Sequence, residues 1–112
     1  MATSNITNNP SIFESGTSGI WTYRKWSDGT AECWGKSTNS AGAAQRNYKI
    51  YYPTGLFISE PVLSACGNCD GAVNSGVRYV NTTAIFCDVW ITSESAAASK
   101  SKLYVYAIGK WK

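Results

Sequence analysis

Residues 19–36, GIWTYRKWSDGTAECWGK, constrain the fold more than any other stretch of this chain. They place three of the chain's five tryptophans around a single Asp-Gly pair. Asp-Gly favours the centre of a two-residue β-hairpin loop, because a type I′ turn requires positive φ at both central positions. The stretch therefore predicts a hairpin that turns at Asp28 and Gly29.

This turn sets the register of the predicted hairpin. Lys25 is expected opposite Glu32, and Tyr23 opposite Trp34, so that Trp21, Tyr23 and Trp34 share one face. The opposite face then carries Ile20, Thr22, Arg24, Trp26, Ala31, Cys33 and Gly35. Because both faces are partly apolar, we expect the hairpin to be covered on both sides, by the rest of the domain and by loops or another subunit.

The remaining chain consists of short segments rich in Tyr, Trp, Val, Ile and Thr, interrupted by Gly, Asn and Ser. Helical spacing is never sustained over three turns, so the predicted fold class is all-β, an antiparallel β-sandwich. Further strands are expected at residues 45–52, 62–66, 77–80, 84–91 and 103–111. In the segment 84–91, alternation places Ile85, Cys87, Val89 and Ile91 in the core.

The chain of 112 residues is expected to form one domain, with a polar linker or arm at residues 1–19 and a β-sandwich head at residues 20–112. A domain of this size buries only about two thirds of the surface that its unfolded chain exposes. The fifteen aromatic residues therefore predict either a core of large side chains or a contact with a partner chain.

The net charge of +3 arises from basic residues that are scattered along the chain except near its end, SKSKLYVYAIGKWK. This distribution favours solubility rather than nucleic-acid binding. There is neither a signal peptide nor an apolar run long enough for a membrane helix, so we expect a soluble protein that is made in a cytosol and does not insert into membranes.

Cys66 and Cys69 have the C-x-x-C spacing of zinc and redox motifs. A zinc site needs two further ligands, and the chain offers no histidine, only Cys33 and Cys87 within predicted strands. All four cysteines are therefore predicted to be free thiols that bind neither metal nor cofactor.

Catalytic patterns are missing from the sequence. The chain has no histidine, no Gly-x-Ser-x-Gly motif, no phosphate-binding loop and no local pair of carboxylates. We therefore expect a binding domain rather than an enzyme, although a pair of carboxylates assembled in space stays open.

Three segments carry a resemblance to a known family: residues 19–35 (GIWTYRKWSDGTAECWG), 51–68 (YYPTGLFISEPVLSACGN) and 104–111 (YVYAIGKW). They resemble the C-terminal domains of phage tail fibres and baseplate receptor-binding proteins, especially those of phages and prophages of Gram-positive bacteria. The resemblance implies a β-sandwich knob, usually a homotrimer, at the tip of a virion appendage, where it binds a glycan or protein of the host surface. It also implies synthesis in a bacterial cytoplasm and an N-terminal arm that joins a longer fibre shaft.

Three functions stay open at this point: receptor binding, capping or trimerisation of the fibre without receptor binding, and glycan degradation. The predicted receptor contacts lie in loops and on one exposed ring, because amides and carboxylates in Gly-rich loops suit sugar hydroxyls and an arginine fork suits anionic groups. These residues are Asn68, Asp70, Asn74, Arg78 and, as a stacking platform, Trp90.

Overall fold

The computed structural model describes residues 10–39, 45–69, 75–93 and 101–112, and within these ranges every regular element is a strand. The strands are β1 Ile12–Ser18, β2 Trp21–Trp26, β3 Thr30–Asn39, β4 Gln45–Tyr51, β5 Val62–Cys69, β6 Ser75–Thr82, β7 Phe86–Ser93 and β8 Ser101–Lys110. All pairings are antiparallel, which confirms the predicted fold class. The described ranges contain no helix, hence none that could span a membrane.

The strands form two packed sheets, one of five strands in the order β1-β2-β3-β8-β5 and one of three in the order β4-β7-β6. Strand β8 shows how they pack, because Leu103, Val105 and Ala107 are buried while the residues between them are not. The core also takes apolar side chains from β2, β3, β4, β7 and the segment after β4, namely Trp21, Ala31, Cys33, Tyr48, Tyr52, Leu56, Phe57, Cys87, Val89 and Ile91.

The hairpin register differs by one position from the register predicted from Asp-Gly. Lys25 pairs with Ala31 and Tyr23 with Cys33. The reason lies in the loop, where Gly29 has a φ of 95° and donates its N–H to the carbonyl of Trp26, while no described non-glycine residue has a positive φ. The loop therefore spans three residues with glycine in the left-handed position, rather than two residues in a type I′ turn.

This shift moves a tryptophan from one face of the sheet to the other, because neighbouring strand positions face opposite sides. Trp34 pairs with Thr22, on the side opposite Trp21. Trp21 is only 3% exposed and donates its indole N–H to the carbonyl of Tyr51 at 2.8 Å. The prediction that Trp21, Tyr23 and Trp34 share a face is therefore wrong, and Cys33 replaces Trp34 on the core side.

Part of the predicted N-terminal arm belongs to the sheet. Residues 12–18 form β1, which pairs with β2 as an edge strand with an irregularity at Phe13. The Phe13 ring stacks on Trp111 with 4.8 Å between ring centroids, and the Trp111 indole donates to the carbonyl of Trp26 at 2.8 Å. Both ends of the described chain are thereby fixed against the first hairpin.

Strand β7 confirms three of the four core positions predicted from its alternation. Cys87, Val89 and Ile91 are fully buried, whereas Ile85 is 64% exposed. Ile85 precedes β7, in a turn where the Thr83 hydroxyl accepts its backbone N–H at 3.1 Å. The buried series therefore begins two residues later than predicted, at Cys87, and Ile85 projects into solvent.

Candidate functional site

Two of the predicted receptor residues lie next to each other in the three-stranded sheet. Arg78 is exposed and sits at an irregularity of β6, between Val77, which pairs with Ile91, and Tyr79, which pairs with Trp90. The Trp90 side chain is 36% exposed. The sequence thus predicted two residues that the fold brings to adjacent strands. The prediction grouped Arg78 with loop contacts, whereas the structure places it within β6.

The other three predicted residues do not join this pair in the described structure. Asn68 belongs to β5 of the five-stranded sheet, where its backbone pairs with Lys102. Asp70 and Asn74 lie outside the described residues. The assignment of these residues to a receptor site stays a prediction.

The surface around Trp90 contains polar groups that the sequence analysis did not single out. The side-chain amide of Asn47 donates to the carboxylate of Asp88, which lies two residues before Trp90 along the strand. Nearer to the start of β7, the Lys49 ammonium lies 4.4 Å from the centroid of the Phe86 ring. These contacts depend on the register between β4 and β7, which a single sequence does not specify.

The outer face of the five-stranded sheet, meaning the side away from the three-stranded sheet, is a broad apolar and aromatic surface. Its exposed large side chains include Val62 at 73%, Tyr104 at 45%, Tyr106 at 38% and Ile108 at 37%. Half-buried Trp26 and Trp34 lie on the same side. Scattered apolar residues are ordinary on a protein surface, but a contiguous set indicates a surface that contacts something else.

An ordered polar group lies within this outer face. The Arg24 guanidinium stacks over Trp34 at 4.8 Å and over Trp26 at 5.9 Å, measured to the ring centroids. Its Nε lies 3.3 Å from Glu32, close enough for an ion pair, yet the angle does not suit a hydrogen bond and leaves this buried atom unsatisfied. The Tyr106 hydroxyl donates to the other oxygen of Glu32, and this hydrogen bond is the main reason that the pKa of Tyr106 is raised.

A cleft opens on the opposite side of the sheet, where β1 and β2 extend beyond the smaller sheet and meet the segment after β4. Its volume is about 290 Å³. We call it the cleft, and it is lined by Glu14, Thr17, Ser18, Tyr23, Lys25, Pro53, Thr54 and Leu56.

One wall of the cleft is a trio on β1 and β2 that is joined by one hydrogen bond and one ion pair. The Tyr23 hydroxyl donates to Glu14 Oε2 at 2.9 Å, and the Lys25 ammonium lies 3.7 Å from Glu14 Oε1. The hydrogen bond to the carboxylate is the largest cause of a raised Tyr23 pKa. The Tyr23 ring also lies directly over Gly16, where an added Cβ would come within 3.0 Å of the hydroxyl oxygen.

The other wall is a tight turn fixed by the core. The N–H of Leu56 donates to the carbonyl of Pro53 at 3.1 Å, and Gly55 has a φ of 74°, as the third residue of a type II turn requires. Leu56 is 1% exposed, and Phe57 packs edge-to-face on Tyr52 with 5.1 Å between centroids. This wall is therefore rigid without any ligand.

The cysteines divide between core and surface. Cys33 and Cys87 are free and fully buried, whereas Cys66 is free and exposed on β5. Burial raises the pKa of Cys33 to about 12 and that of Cys87 to about 11, from an ordinary 9.0. In the described ranges no three His, Cys, Asp or Glu side chains come together as metal ligands, and the absence of a metal stays a prediction.

Comparison with solved structures shows that the chain shares its fold with pyocin tail fibres. The chain superposes on an N-truncated R1-type pyocin tail fibre with a TM-score of 0.67 and 14% identity, covering 96% of this chain and 93% of that one. It also matches a P. aeruginosa R1 pyocin fibre comprising C-terminal residues 323–701, with a TM-score of 0.66 and 16% identity, and there it spans only 30% of the fibre chain. A P. aeruginosa R2 pyocin fibre gives a TM-score of 0.64 at 17% identity, over 28% of its chain.

The chain therefore has the fold found in the C-terminal region of pyocin tail fibres, as the resemblance to tail-fibre domains predicted. The expected affiliation with phages of Gram-positive bacteria is not supported, because these fibres come from a Gram-negative bacterium. No protein-family model and no curated protein matches the sequence.

Proposed function

We propose that this chain is the C-terminal domain of a tail fibre, that it assembles as a homotrimer at the tip of a virion appendage, and that it binds a host cell-surface glycan. The single observation that carries this proposal is a tail-fibre fold whose surface holds exposed aromatic rings next to fixed polar groups. Such combinations suit sugars, which present apolar ring faces and a rim of hydroxyls.

The outer face of the five-stranded sheet supports the trimer. Val62 and Ile108 are paired neighbours on β5 and β8, and both are exposed in the single chain. Burial between copies would remove this apolar surface from water, and a closed ring of copies leaves no surface for further addition.

Two polar surfaces support glycan binding and stay open when copies meet through the outer face. One is the neighbourhood of Trp90, Asn47 and Asp88 on the three-stranded sheet. The other is the cleft, which lies on the side of β1 and β2 opposite the outer face. A receptor contact on either surface is compatible with the same assembly.

Two measurements on the purified chain test this function. Light scattering at micromolar concentration is expected to give the mass of three chains. Fluorescently labelled protein is expected to adsorb to a subset of bacterial strains, and pretreatment of those cells with periodate, which cleaves sugar diols, is expected to abolish adsorption. Adsorption to cells that is lost after protease treatment but not after periodate treatment would show that the receptor is a protein rather than a glycan.

A capping domain without receptor contact is the second candidate, favoured by the same outer face. It predicts a trimer that adsorbs to no strain in a broad panel. We propose binding rather than catalysis, and incubation with cell-wall and capsular polysaccharides is expected to release no new reducing ends.

A further inference from the structure

We propose that the cleft is a subsite for one neutral sugar ring of the host glycan, with Glu14 and Lys25 as its polar contacts and Tyr23 as part of its apolar wall. This inference rests on the proposed glycan-binding function and deepens it. It also differs from the sequence-based prediction, which placed receptor contacts at the loops around Asn68 and Arg78.

The dimensions of the cleft suit a single ring. Its volume of about 290 Å³ lies at the lower end of the range for small-molecule sites, which is roughly 300 to 1,000 Å³. The lining comes from the hairpin of β1 and β2 and from the turn after β4. A single sugar ring fits a site of this volume.

The polar groups of the cleft are placed for hydroxyl recognition. Glu14 Oε2 already accepts a hydrogen bond from Tyr23, which fixes the carboxylate, while Oε1 faces the Lys25 ammonium at 3.7 Å, beyond hydrogen-bond distance. The Glu14 side chain is 45% exposed, so Oε1 is open to a ligand. Two neighbouring sugar hydroxyls can donate to this carboxylate and accept from the Lys25 ammonium, and hydrogen bonds to charged groups are the stronger ones.

The charges of the cleft select against an anionic sugar. Glu14 and Lys25 form an ion pair at 3.7 Å, and among the described residues that line the cleft they are the only charged ones. Lys25 is further engaged by the Trp111 ring, with 5.3 Å from its ammonium to the ring centroid. An added carboxylate or phosphate would meet the negative charge of Glu14 without an unpaired cation, so a neutral ring is favoured.

The apolar surfaces of the cleft complete the match. The half-buried Tyr23 ring, which is held from behind by Gly16, supplies most of this surface, while Pro53 and Leu56 are buried and fix the opposite wall. The C–H face of a sugar packs on such surfaces while its hydroxyls point to the polar rim. Because both walls are fixed before binding, little conformational entropy is lost when the ring enters.

The test uses the full chain and the methyl glycosides of glucose, galactose, mannose and N-acetylglucosamine, with methyl glucuronide as the anionic comparison. Saturation-transfer NMR is expected to show binding of at least one neutral glycoside at millimolar concentration. Glu14→Gln is expected to weaken that binding about tenfold or more, because a hydrogen bond to a charged group is lost. Glu60→Gln, an exposed carboxylate outside the cleft, is the matched control and is expected to bind as wild type.

A second pair of variants separates site geometry from folding. Tyr23→Phe keeps the ring and loses only the hydrogen bond to Glu14, so binding is expected to weaken moderately at unchanged fold. Gly16→Val displaces the Tyr23 ring and is expected to abolish binding. Retention of the wild-type circular dichroism spectrum by Tyr23→Phe excludes unfolding as the cause of its effect.

Three results would overturn the proposal: no neutral glycoside binds, Glu14→Gln binds like wild type, or the glucuronide binds more tightly than every neutral ring. Cell adsorption distinguishes failure of the cleft proposal from failure of the proposed glycan-binding function. Wild-type adsorption that Glu14→Gln leaves unchanged removes the cleft from the receptor site and leaves the glycan-binding function standing. If the wild-type protein adsorbs to no strain, the proposed function is contradicted. Glycoside binding then tests only whether the cleft holds a sugar ring.

Discussion

The two faces of the five-stranded sheet are built from similar side chains and differ in what covers them. On β8, Leu103, Val105 and Ala107 point to the inner face and are at most 4% exposed. Tyr104, Tyr106 and Ile108 alternate with them on the outer face and are at least 37% exposed. Nothing in the described chain covers the outer face, whereas the three-stranded sheet covers the inner one.

This difference shows that alternation in sequence and burial in a single chain are separate properties. Antiparallel sheets with one solvated face normally carry polar residues there. Here the uncovered face is aromatic and aliphatic, and its main polar feature, Arg24 with Glu32, is itself stacked on tryptophan rings. A sheet with two apolar faces is expected where the second face meets another subunit or a ligand.

The largest effect is expected from truncation of the inner face. Leu103→Ala removes a fully buried side chain and leaves a cavity between the sheets, so the free energy of unfolding is expected to fall by about 3 to 4 kcal/mol. Urea denaturation measures it. Ile108→Ala on the outer face is expected to cost less than about 1 kcal/mol and to show a dependence on protein concentration. An equal decrease in the free energy of unfolding for both variants would contradict the proposed difference between the inner and outer faces.

A comparable effect is expected where β5 packs against β7. A Cβ at Gly67 would come within 2.4 Å of the Lys102 carbonyl oxygen and 2.6 Å of Ile91 Cδ1, so Gly67→Ala is expected to destabilise the domain by about 2 to 3 kcal/mol. Gly76→Ala is the control, because, its chain neighbours apart, no atom of the described residues lies within 4 Å of its added Cβ. Thermal unfolding of both variants measures the difference, and a Gly67→Ala midpoint equal to that of Gly76→Ala would contradict the packing of β5 on β7.

Charges on the outer face are expected to change assembly rather than folding. The double variant Val62→Lys and Ile108→Lys places two ammonium groups on the surface proposed to join the copies, so light scattering should give the mass of one chain. Ile85→Lys, which alters a 64% exposed isoleucine outside this face, should keep the wild-type mass. The reverse pattern would move the contact between copies to the region around Ile85.

The fold class and most strands were predictable because they depend on local chemistry. Alternation in 84–91 identified Cys87, Val89 and Ile91, and Asp-Gly identified the first hairpin. The register was not predictable from that dipeptide, because Asp-Gly fits both a two-residue loop and a three-residue loop with Gly29 in the left-handed position. Strand β1 was missed because its sequence, IFESGTS, is mostly small and polar, and its place in the sheet depends on pairing with β2.

The candidate site was less predictable than the fold. Arg78 and Trp90 were named and do lie on adjacent strands, but the cleft was missed. Glu14 and Tyr23 lie nine residues apart on paired strands, whereas Pro53 comes from a distant segment, and no motif relates the three. One feature of the sequence pointed to the cleft, because Glu14 is the only acidic residue in the segment that was predicted to be a linker.

The smallest effect concerns the thiols, which divide between the core and the outer face. In a Cys69→Ser background, a thiol reagent at pH 8 is expected to label exposed Cys66 quickly and to leave Cys33 and Cys87 unreacted, because both are fully buried.

Burial also raises the pKa of Cys33 to about 12 and that of Cys87 to about 11. Both thiols therefore stay protonated in the folded protein, while the unfolded chain loses these protons near pH 9. The unfolded state then binds fewer protons, and the free energy of unfolding is expected to decline as pH rises from about 9 towards 12. Cys33→Ala should make this decline shallower, Cys66→Ala should leave it unchanged, and an identical decline in all three proteins would show that the buried thiols are not its source.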